Sequence, residues 1–232
     1  MISIVIGLVL VALVTSYYLS SRQSYQTNIV TGALTDGQRY AVQLLRRQLL
    51  LAGYSDSWES PDNNFPDRSN GGGVPSFAAG QVLMSNGANE VWLRMQGAAL
   101  NDQPISSCNN QEFDDSTVTI ITHLYTDDAT LMCETYSSND PTPPTPVPLL
   151  NGVDALAFTY LDDSDEFQPY DKADWDSVRA VQLDLLLRSE IQTYDAPLEQ
   201  SFEWPSGNRT FDDRYMRSRL TRTIALRNAR GG

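Results

Sequence analysis

The spacing of hydrophobic residues divides the chain into an N-terminal helix and a body of strands. Met1–Leu19 (MISIVIGLVLVALVTSYYL) contains no charged side chain. From Val30 to Ala52, apolar or small residues recur every three or four positions, which is the period of one helix face. No proline interrupts the stretch, and Gly53 is a natural helix end. We therefore expect residues 1–53 to form one helix, of about 80 Å at 1.5 Å per residue.

Beyond this helix the period changes from about four to two. Residues 54–80 are rich in Ser, Asp, Asn, Gly and Pro, which predicts a long surface loop or a partly ordered segment. Alternating and β-branched runs then predict antiparallel strands. These runs are Gln81–Met84, Glu90–Met95, Thr117–Tyr125, Leu131–Tyr136, Ala155–Leu161, Val181–Arg188 and Leu220–Leu226. Five prolines in Asp140–Pro148 predict a stiff extended connection. The expected class is α+β, a long N-terminal helix packed on an antiparallel β-sheet domain, 54–232.

The first part of the helix is apolar on every side. About 20 apolar residues cross a bilayer as a helix, so residues 1–20 are long enough. Tyr17 and Tyr18 would then lie in the interfacial aromatic belt, with Arg22 at its aqueous edge. No basic residue precedes the run and no A-x-A-like site follows it, which argues against a cleaved secretory signal. We expect a retained anchor.

An ordinary single-span anchor does not need the amphipathic extension that follows. A subunit that packs its helix among neighbouring helices in a filament does need it. The residues expected to pack combine large apolar side chains with two small residues that permit close approach of helices. They are Ile4, Ile6, Gly7, Leu8, Leu10, Ala12 and Leu13.

Charge is distributed very unevenly along the chain, whose net charge is −13. Residues 1–52 carry four Arg against one Asp, and residues 209–232 carry seven Arg against two Asp. The segment 53–208 is therefore strongly acidic, with 26 acidic and five basic residues. An acidic body repels phosphates, so nucleic acid is not an expected partner. Arginines of the C-terminal segment alternate along a strand, where they can pair with the chain's own acidic surface.

Candidate chemistry is sparse. Cys108 and Cys133 lack metal-ligand spacing and suit one disulfide in an oxidising compartment, worth ~3 kcal/mol for a loop of this length; two unpaired buried thiols are the alternative. The single histidine, His123, lies in a strand and cannot form a metal cluster with other histidines. No nucleophile elbow, P-loop or dinucleotide fingerprint occurs, so an enzyme is not expected.

One acidic segment could hold a hard cation such as Ca²⁺. It consists of Asp162, Asp163, Asp165 and Glu166, with Asp171, Asp174 and Asp176 as further candidate ligands. The segment follows a strand but lacks the spacing and the glycine of an EF-hand. A solvated acidic turn is the competing interpretation. No cofactor is otherwise expected.

Four segments, in this order, form a recognisable set. They are RYAVQLLRRQLLLAGY (Arg39–Tyr54), LLNGVDALAFTYL (Leu149–Leu161), DWDSVRAVQLDLLLRS (Asp174–Ser189) and RLTRTIALRN (Arg219–Asn228). Together they resemble the PilW family of type IV minor pilins. The layout is also similar to the J-type minor pseudopilin of type II secretion. In the family a methylated Phe and a Glu lie just upstream of the apolar run. A basic leader that ends Gly-Phe-[Ser/Thr]-Leu-[Ile/Val]-Glu in the upstream sequence would establish this class.

The resemblance implies a type IV pilin-like fold and a structural role in pilus biogenesis, in a priming or tip complex. The implied partners are other minor pilins, the major pilin, a large tip adhesin and, before assembly, inner-membrane lipid. It implies a single-pass protein of the bacterial inner membrane with its C-terminal domain in the periplasm, later part of a surface pilus used in adhesion and twitching motility. The alternatives are a secretion pseudopilin and a membrane-anchored calcium-binding module.

Overall fold

The fold is a 50-residue helix followed by a β-rich domain, seen in a computed structural model. The structure describes residues 2–57, 59–97, 99–100, 103–140 and 142–228, without the side chains of residues 2–5, 9, 99, 100 and 103. Helix α1 spans Ile2–Leu51, which confirms the predicted long helix. Two residues after the helix, Gly53 has a φ of +73°, the left-handed conformation that glycine adopts freely and that often follows a helix end.

Only the second half of α1 has a buried face. The buried residues recur at the predicted spacing of three or four. They are Val30, Leu34, Gln38, Ala41, Leu45, Gln48, Leu49 and Ala52. This stripe packs mainly against two long strands of the domain.

Two antiparallel sheets form the domain. The first has the order β1-β2-β6-β7-β8, and the second has the order β10-β9-β11-β14. The first sheet consists of β1 (Leu83–Met84), β2 (Glu90–Gln96), β6 (Thr119–Asp127), β7 (Thr130–Ser137) and β8 (Val147–Asn151). The second consists of β9 (Val153–Leu161), β10 (Phe167–Gln168), β11 (Ala180–Gln192) and β14 (Tyr215–Ala225). The predicted strands are present, and Pro148 lies in an edge strand, where a missing N–H is tolerated.

The second sheet provides the floor on which α1 lies. Val181, Leu183, Leu185 and Leu187 alternate along β11 and all join the main hydrophobic core with Leu45 and Leu49 of the helix. The first sheet contributes the opposite side of the same core. Its core residues are Leu93, Met95, Ile120, Leu124 and Leu131. The alternation read from the sequence therefore predicts which side of β11 faces the helix.

Short elements cover the outer faces and ends of these sheets. They are α2 (Pro61–Asn64), the three-stranded β3 (Ala99–Leu100), β4 (Gln103–Ser106) and β5 (Glu112–Phe113), and the hairpin β12 (Leu198–Phe202) and β13 (Arg209–Asp213). Cys108 and Cys133 form a disulfide with Cα atoms 6.2 Å apart. It ties the segment after β4 to β7, as one of the two sequence interpretations predicted.

The segment 54–80 is held on the outer face of the first sheet by one buried arginine. Arg94 of β2 is 2% exposed, and it donates to the carbonyl oxygens of Pro66, Ala78 and Gln81. Its guanidinium also lies over the rings of Phe65 and Phe77. Burial lowers the pKa of Arg94 to about 10. The predicted long surface loop is thus anchored on the sheet by a cation that the carbonyl groups of Pro66 and Ala78 solvate.

Candidate assembly surface

The first half of α1 projects from the domain with its apolar side chains uncovered. Large exposed hydrophobic residues follow one another along the helix from Ile6 to Ile29. They are Ile6, Leu8, Leu10, Val11, Leu13, Val14, Tyr17, Tyr18, Leu19, Tyr25 and Ile29. Successive helix positions are rotated by about 100°, so these residues surround the helix rather than form one stripe. Exposure of such a surface to water is unfavourable, and contact with another apolar surface or with lipid removes this cost.

The predicted packing residues all lie on this exposed half. Ile6, Leu8, Leu10 and Leu13 are between 55% and 66% exposed. Gly7 and Ala12 are exposed beside them, and a Cβ at Gly7 would meet no atom within 4 Å. Ile4 lies in α1, but its side chain is outside the described set. The structure thus places the described members on one projecting element, free to contact another helix.

The membrane-spanning part predicted for about residues 1–20 includes Met1 and positions whose side chains are not described. Within the described part of the chain, no helix has an apolar stretch long enough to cross a membrane.

The hydroxyl groups of four threonines in α1 donate hydrogen bonds to carbonyl oxygens of the same helix. Thr15 Oγ1 donates to the Val11 carbonyl oxygen at 2.8 Å, and Thr27, Thr31 and Thr35 make the same bond one turn back. A hydroxyl bonded in this way can enter an apolar environment without an unmade hydrogen bond. Polar residues in the projecting part are therefore compatible with burial between helices.

The domain fixes the direction of α1 by polar contacts at several points. Gln38 Nε2 donates to Ser218 O and Oγ, both at 3.0 Å, from the middle of the helix to β14. At the helix end, Asn228 Nδ2 donates to the carbonyl oxygens of Leu50 and Ala52 at 3.3 Å. Helix carbonyl groups at this end lack partners within the helix, so Asn228 acts as a cap from the far end of the chain.

The acidic segment 162–166 is arranged as a loop held by its own backbone. Asp162 is buried and accepts the N–H groups of Ser164 at 2.9 Å and Asp174 at 3.1 Å, while Asp165 pairs with Arg179. The hydrogen bonds from Ser164 and Asp174 lower the pKa of Asp162. Asp163 and Glu166 are exposed. Among the described residues, no three His, Cys, Asp or Glu side chains converge as a metal site. The calcium hypothesis therefore gains no supporting geometry.

The sequence did not predict the polar and aromatic cluster around the single histidine, His123. His123 is 8% exposed, its Nε2 lies 2.8 Å from Glu90 Oε2, and its Nδ1 lies 3.1 Å from Glu134 Oε2. Its ring stacks on Trp92 with centroids 3.7 Å apart and an interplanar angle of 7°. The hydrogen bond to His123 lowers the pKa of Glu90. Burial together with Glu134 raises the pKa of Tyr125 to about 12. The three strands β2, β6 and β7 carry these residues, so their meeting depends on strand register and has no local sequence signal.

The C-terminal arginines pair with the chain's own acidic residues, as the sequence predicted. Arg217 is buried and donates to Asp154 at 2.5 Å and to both carboxylate oxygens of Asp213 at 2.7 Å. Arg219 lies 2.6 Å from Asp184. The hydrogen bonds from Arg217 lower the pKa of Asp213. The Arg217–Asp213 pair joins β13 of the hairpin to β14, whereas the pairs with Asp154 and Asp184 link strands within the second sheet.

Beside these pairs lies an open groove of about 770 Å³. Trp204 forms one wall, and the small residues Ala155 and Ala157 form part of the floor. Two buried carboxylates in its lining are already paired, Asp184 with Arg219 and Thr221, and Asp154 with Arg217.

Comparisons with known proteins agree with this architecture. Residues 118–228 match the family model of PilW, described as Type IV Pilus-assembly protein W, which confirms the resemblance predicted from the three later segments. A solved type IV-like pilin from Thermus thermophilus superposes with a TM-score of 0.56 at 16% identity, covering 84% of this chain and 96% of that chain. This likeness shows the type IV pilin-like fold. The comparison with curated proteins finds no significant match.

Proposed function

From the PilW match over residues 118–228 and the type IV pilin-like fold, we propose that the chain is a minor pilin. In this proposal it is a structural subunit of type IV pilus biogenesis and performs no catalysis. It works in a priming or tip complex with other minor pilins and the major pilin, and a large tip adhesin can join that complex. Residues 1–53 are its assembly element and residues 54–232 its periplasmic, later extracellular, domain.

The observation that carries the proposal is the uncovered apolar surface of α1 between Ile6 and Ile29. Each of the large side chains in this stretch gains ~1.5–3 kcal/mol on full burial. Exposure of all these side chains to water would therefore cost tens of kcal/mol of free energy, so they need an apolar environment. Inner-membrane lipid supplies it before assembly, and the helices of neighbouring subunits supply it afterwards.

The test places a charge in this surface. Leu10→Asp leaves the domain untouched because Leu10 has no contact with the domain core. We expect the number of surface pili to fall at least about tenfold in cells whose only copy carries this change, since a carboxylate buried between helices costs several kcal/mol. Electron microscopy counts the pili, and immunoblotting verifies that the protein is present.

Leu198→Asp is the matched control. Leu198 is a large exposed hydrophobic residue like Leu10, 45% against 57% exposed, but it lies in the β12–β13 hairpin. We expect wild-type pilus numbers for this variant. Unchanged pili with Leu10→Asp at normal protein level would refute the proposal. Normal pili together with loss of protein export would instead indicate a secretion pseudopilin.

A further inference from the structure

A basic patch near the end of α1 points to a specific partner surface. We propose that Arg46 and Arg47, with the recess beside them, dock the acidic loop 162–167 of a second copy of this chain. We call the first surface the arginine recess and the second the acidic loop. The inference rests on the proposed function, because it concerns contacts between subunits in one assembly.

The arginine recess combines free positive charge with an apolar floor. Its volume is about 370 Å³, and it lies between the last turns of α1 and strand β4. Leu50, Leu51 and Ile105 form its apolar lining. Arg46 and Arg47 are exposed at its rim, and neither makes an ion pair with any described residue.

Arg46 and Arg47 belong to the described arginines that make no ion pair within the chain, in contrast to Arg217 and Arg219, which are both paired. Acidic residues outnumber basic ones by 29 to 16, so a second copy offers many carboxylates to these two guanidinium groups. A guanidinium beside an apolar recess suits a carboxylate, because it makes planar, charge-assisted hydrogen bonds. The patch therefore fits an acidic segment that also carries an apolar side chain.

Lipid headgroups are too far away to be that partner. Arg22 follows the apolar part of α1, and Arg46 lies 24 residues beyond it. At 1.5 Å per residue this is about 36 Å along the helix. This distance is several times the screening length of about 8 Å at physiological salt, so a membrane surface at Arg22 does not act on Arg46. The partner of the recess is a protein surface.

The acidic loop of the same chain has the required chemistry. Asp163 and Glu166 are exposed, and no ion pair with a described residue involves either carboxylate. The adjacent Phe167 is 39% exposed, one of the few large hydrophobic side chains exposed outside α1. Backbone hydrogen bonds to the buried Asp162 hold the loop in one conformation, so docking costs little conformational entropy. Two carboxylates and one ring match two guanidinium groups and one apolar recess.

The two surfaces lie at the same end of the domain and do not meet within one copy. Strand β9 ends at Leu161, which pairs with Ala180, and Ala180 pairs with Ala225 of β14. Asn228, three residues further along, caps the end of α1. Because the recess and the loop are different patches, the contact joins unlike surfaces of two copies. Made twice between the same two copies it closes a symmetric pair, and made once it builds rings or open helical filaments.

Charge exchange between two purified, full-length proteins in detergent tests the contact. One variant carries Arg46→Glu and Arg47→Glu, and the other carries Asp163→Lys and Glu166→Lys. A tagged copy is used to capture an untagged copy, and the captured fraction is measured. We expect wild type to capture wild type, and each variant to capture its own kind at least about tenfold more weakly. The two variants mixed together should recover capture, because the reversed charges match again.

Matched controls carry the same change of net charge elsewhere. Arg39→Glu with Arg227→Glu imitates the first variant, and Asp171→Lys with Asp176→Lys imitates the second; all four residues are exposed. Both controls should self-capture like wild type, and raising the salt from 0.15 to 0.5 M should weaken capture. The proposal is overturned if wild type does not capture itself, if the reversals have no effect, or if the mixture does not recover. Leu10→Asp changes neither surface, so its effect on pili judges the proposed function separately.

Discussion

The two halves of α1 have the same backbone conformation but opposite relations to the rest of the chain. Up to Ile29 the large side chains of the helix are exposed, whereas from Val30 to Ala52 every third or fourth residue is buried against the domain. The second half is stabilised by packing on the domain, whereas the first half has no such packing. The difference teaches that one helix can combine a part of the core with a part available to an interface, as in the proposed function, and that the division lies near Val30. Substitutions should therefore have different readouts in the two halves.

The largest contrast is expected from truncating matched leucines. Leu49→Ala removes a side chain that is completely buried in the core, and we expect the free energy of unfolding to fall by about 2–5 kcal/mol. Leu13→Ala changes a 62% exposed side chain and should alter it by less than ~0.5 kcal/mol. Denaturant unfolding of the full chain in mild detergent, followed by tryptophan fluorescence, measures both. Equal losses would mean that the two halves are not separate in energy.

Matched glycines should give opposite signs. A Cβ at Gly53 would lie 2.5 Å from the Asn228 carbonyl oxygen, at a positive φ, so Gly53→Ala should lower the free energy of unfolding by about 1–3 kcal/mol. Gly7→Ala meets no atom within 4 Å and raises helix propensity, by up to ~1 kcal/mol locally. Thermal unfolding followed by circular dichroism compares the variants. A stabilising Gly53→Ala would contradict the docking of Asn228 on the helix end.

Matched glutamines should show a smaller difference. Gln38→Ala removes two hydrogen bonds to Ser218 from a buried side chain, at a cost of about 1–2 kcal/mol in the free energy of unfolding. Gln23→Ala removes one exposed 3.4 Å contact with Asp195 and should be within ~0.5 kcal/mol of wild type. The same denaturant titration measures the free energy of unfolding of both variants. A large loss from Gln23→Ala would extend the structural half of the helix toward its N-terminus.

A pH dependence is expected only for the domain. The folded-state pKa of Glu90 is below its ordinary value of 4.5, and that of Asp213 is below 3.8. Their stabilisation is thus complete above pH 4.5 and is lost as the pH falls through the lowered values. The melting temperature should fall below pH 4.5, and less so in Glu90→Gln. Residues 6–29 contain no carboxylate side chain, so the helix signal of that part should not follow this titration.

Sequence periodicity predicts much of this architecture, because it reports burial on one face. The steps of three and four after Val30 and the alternation of Val181, Leu183, Leu185 and Leu187 each correspond to contacts in the core. The exposure of the apolar run before Val30 is observed, and the packing of its residues against an outside partner stays a prediction.

Features that depend on distant contacts could not be predicted in this way. The three carbonyl groups around Arg94 belong to Pro66, Ala78 and Gln81, and no local sequence pattern indicates that these backbone groups bind an arginine. The partners of His123 are set by the register of three strands. The β12–β13 hairpin contributes only Phe202 and Phe211 to an apolar cluster with the second sheet, which is too few residues for an alternation that predicts strands. The arginine recess required knowing that β4 lies beside the last turns of α1.

The cap that Asn228 places on the end of α1 has a consequence for biogenesis. It joins residues 176 and 178 positions apart, so the helix end is completed only when almost the whole chain is available. Contacts of such long sequence separation form late and slowly, since a long loop must close first. A partly synthesised chain that lacks Asn228 therefore has no such cap on the end of α1.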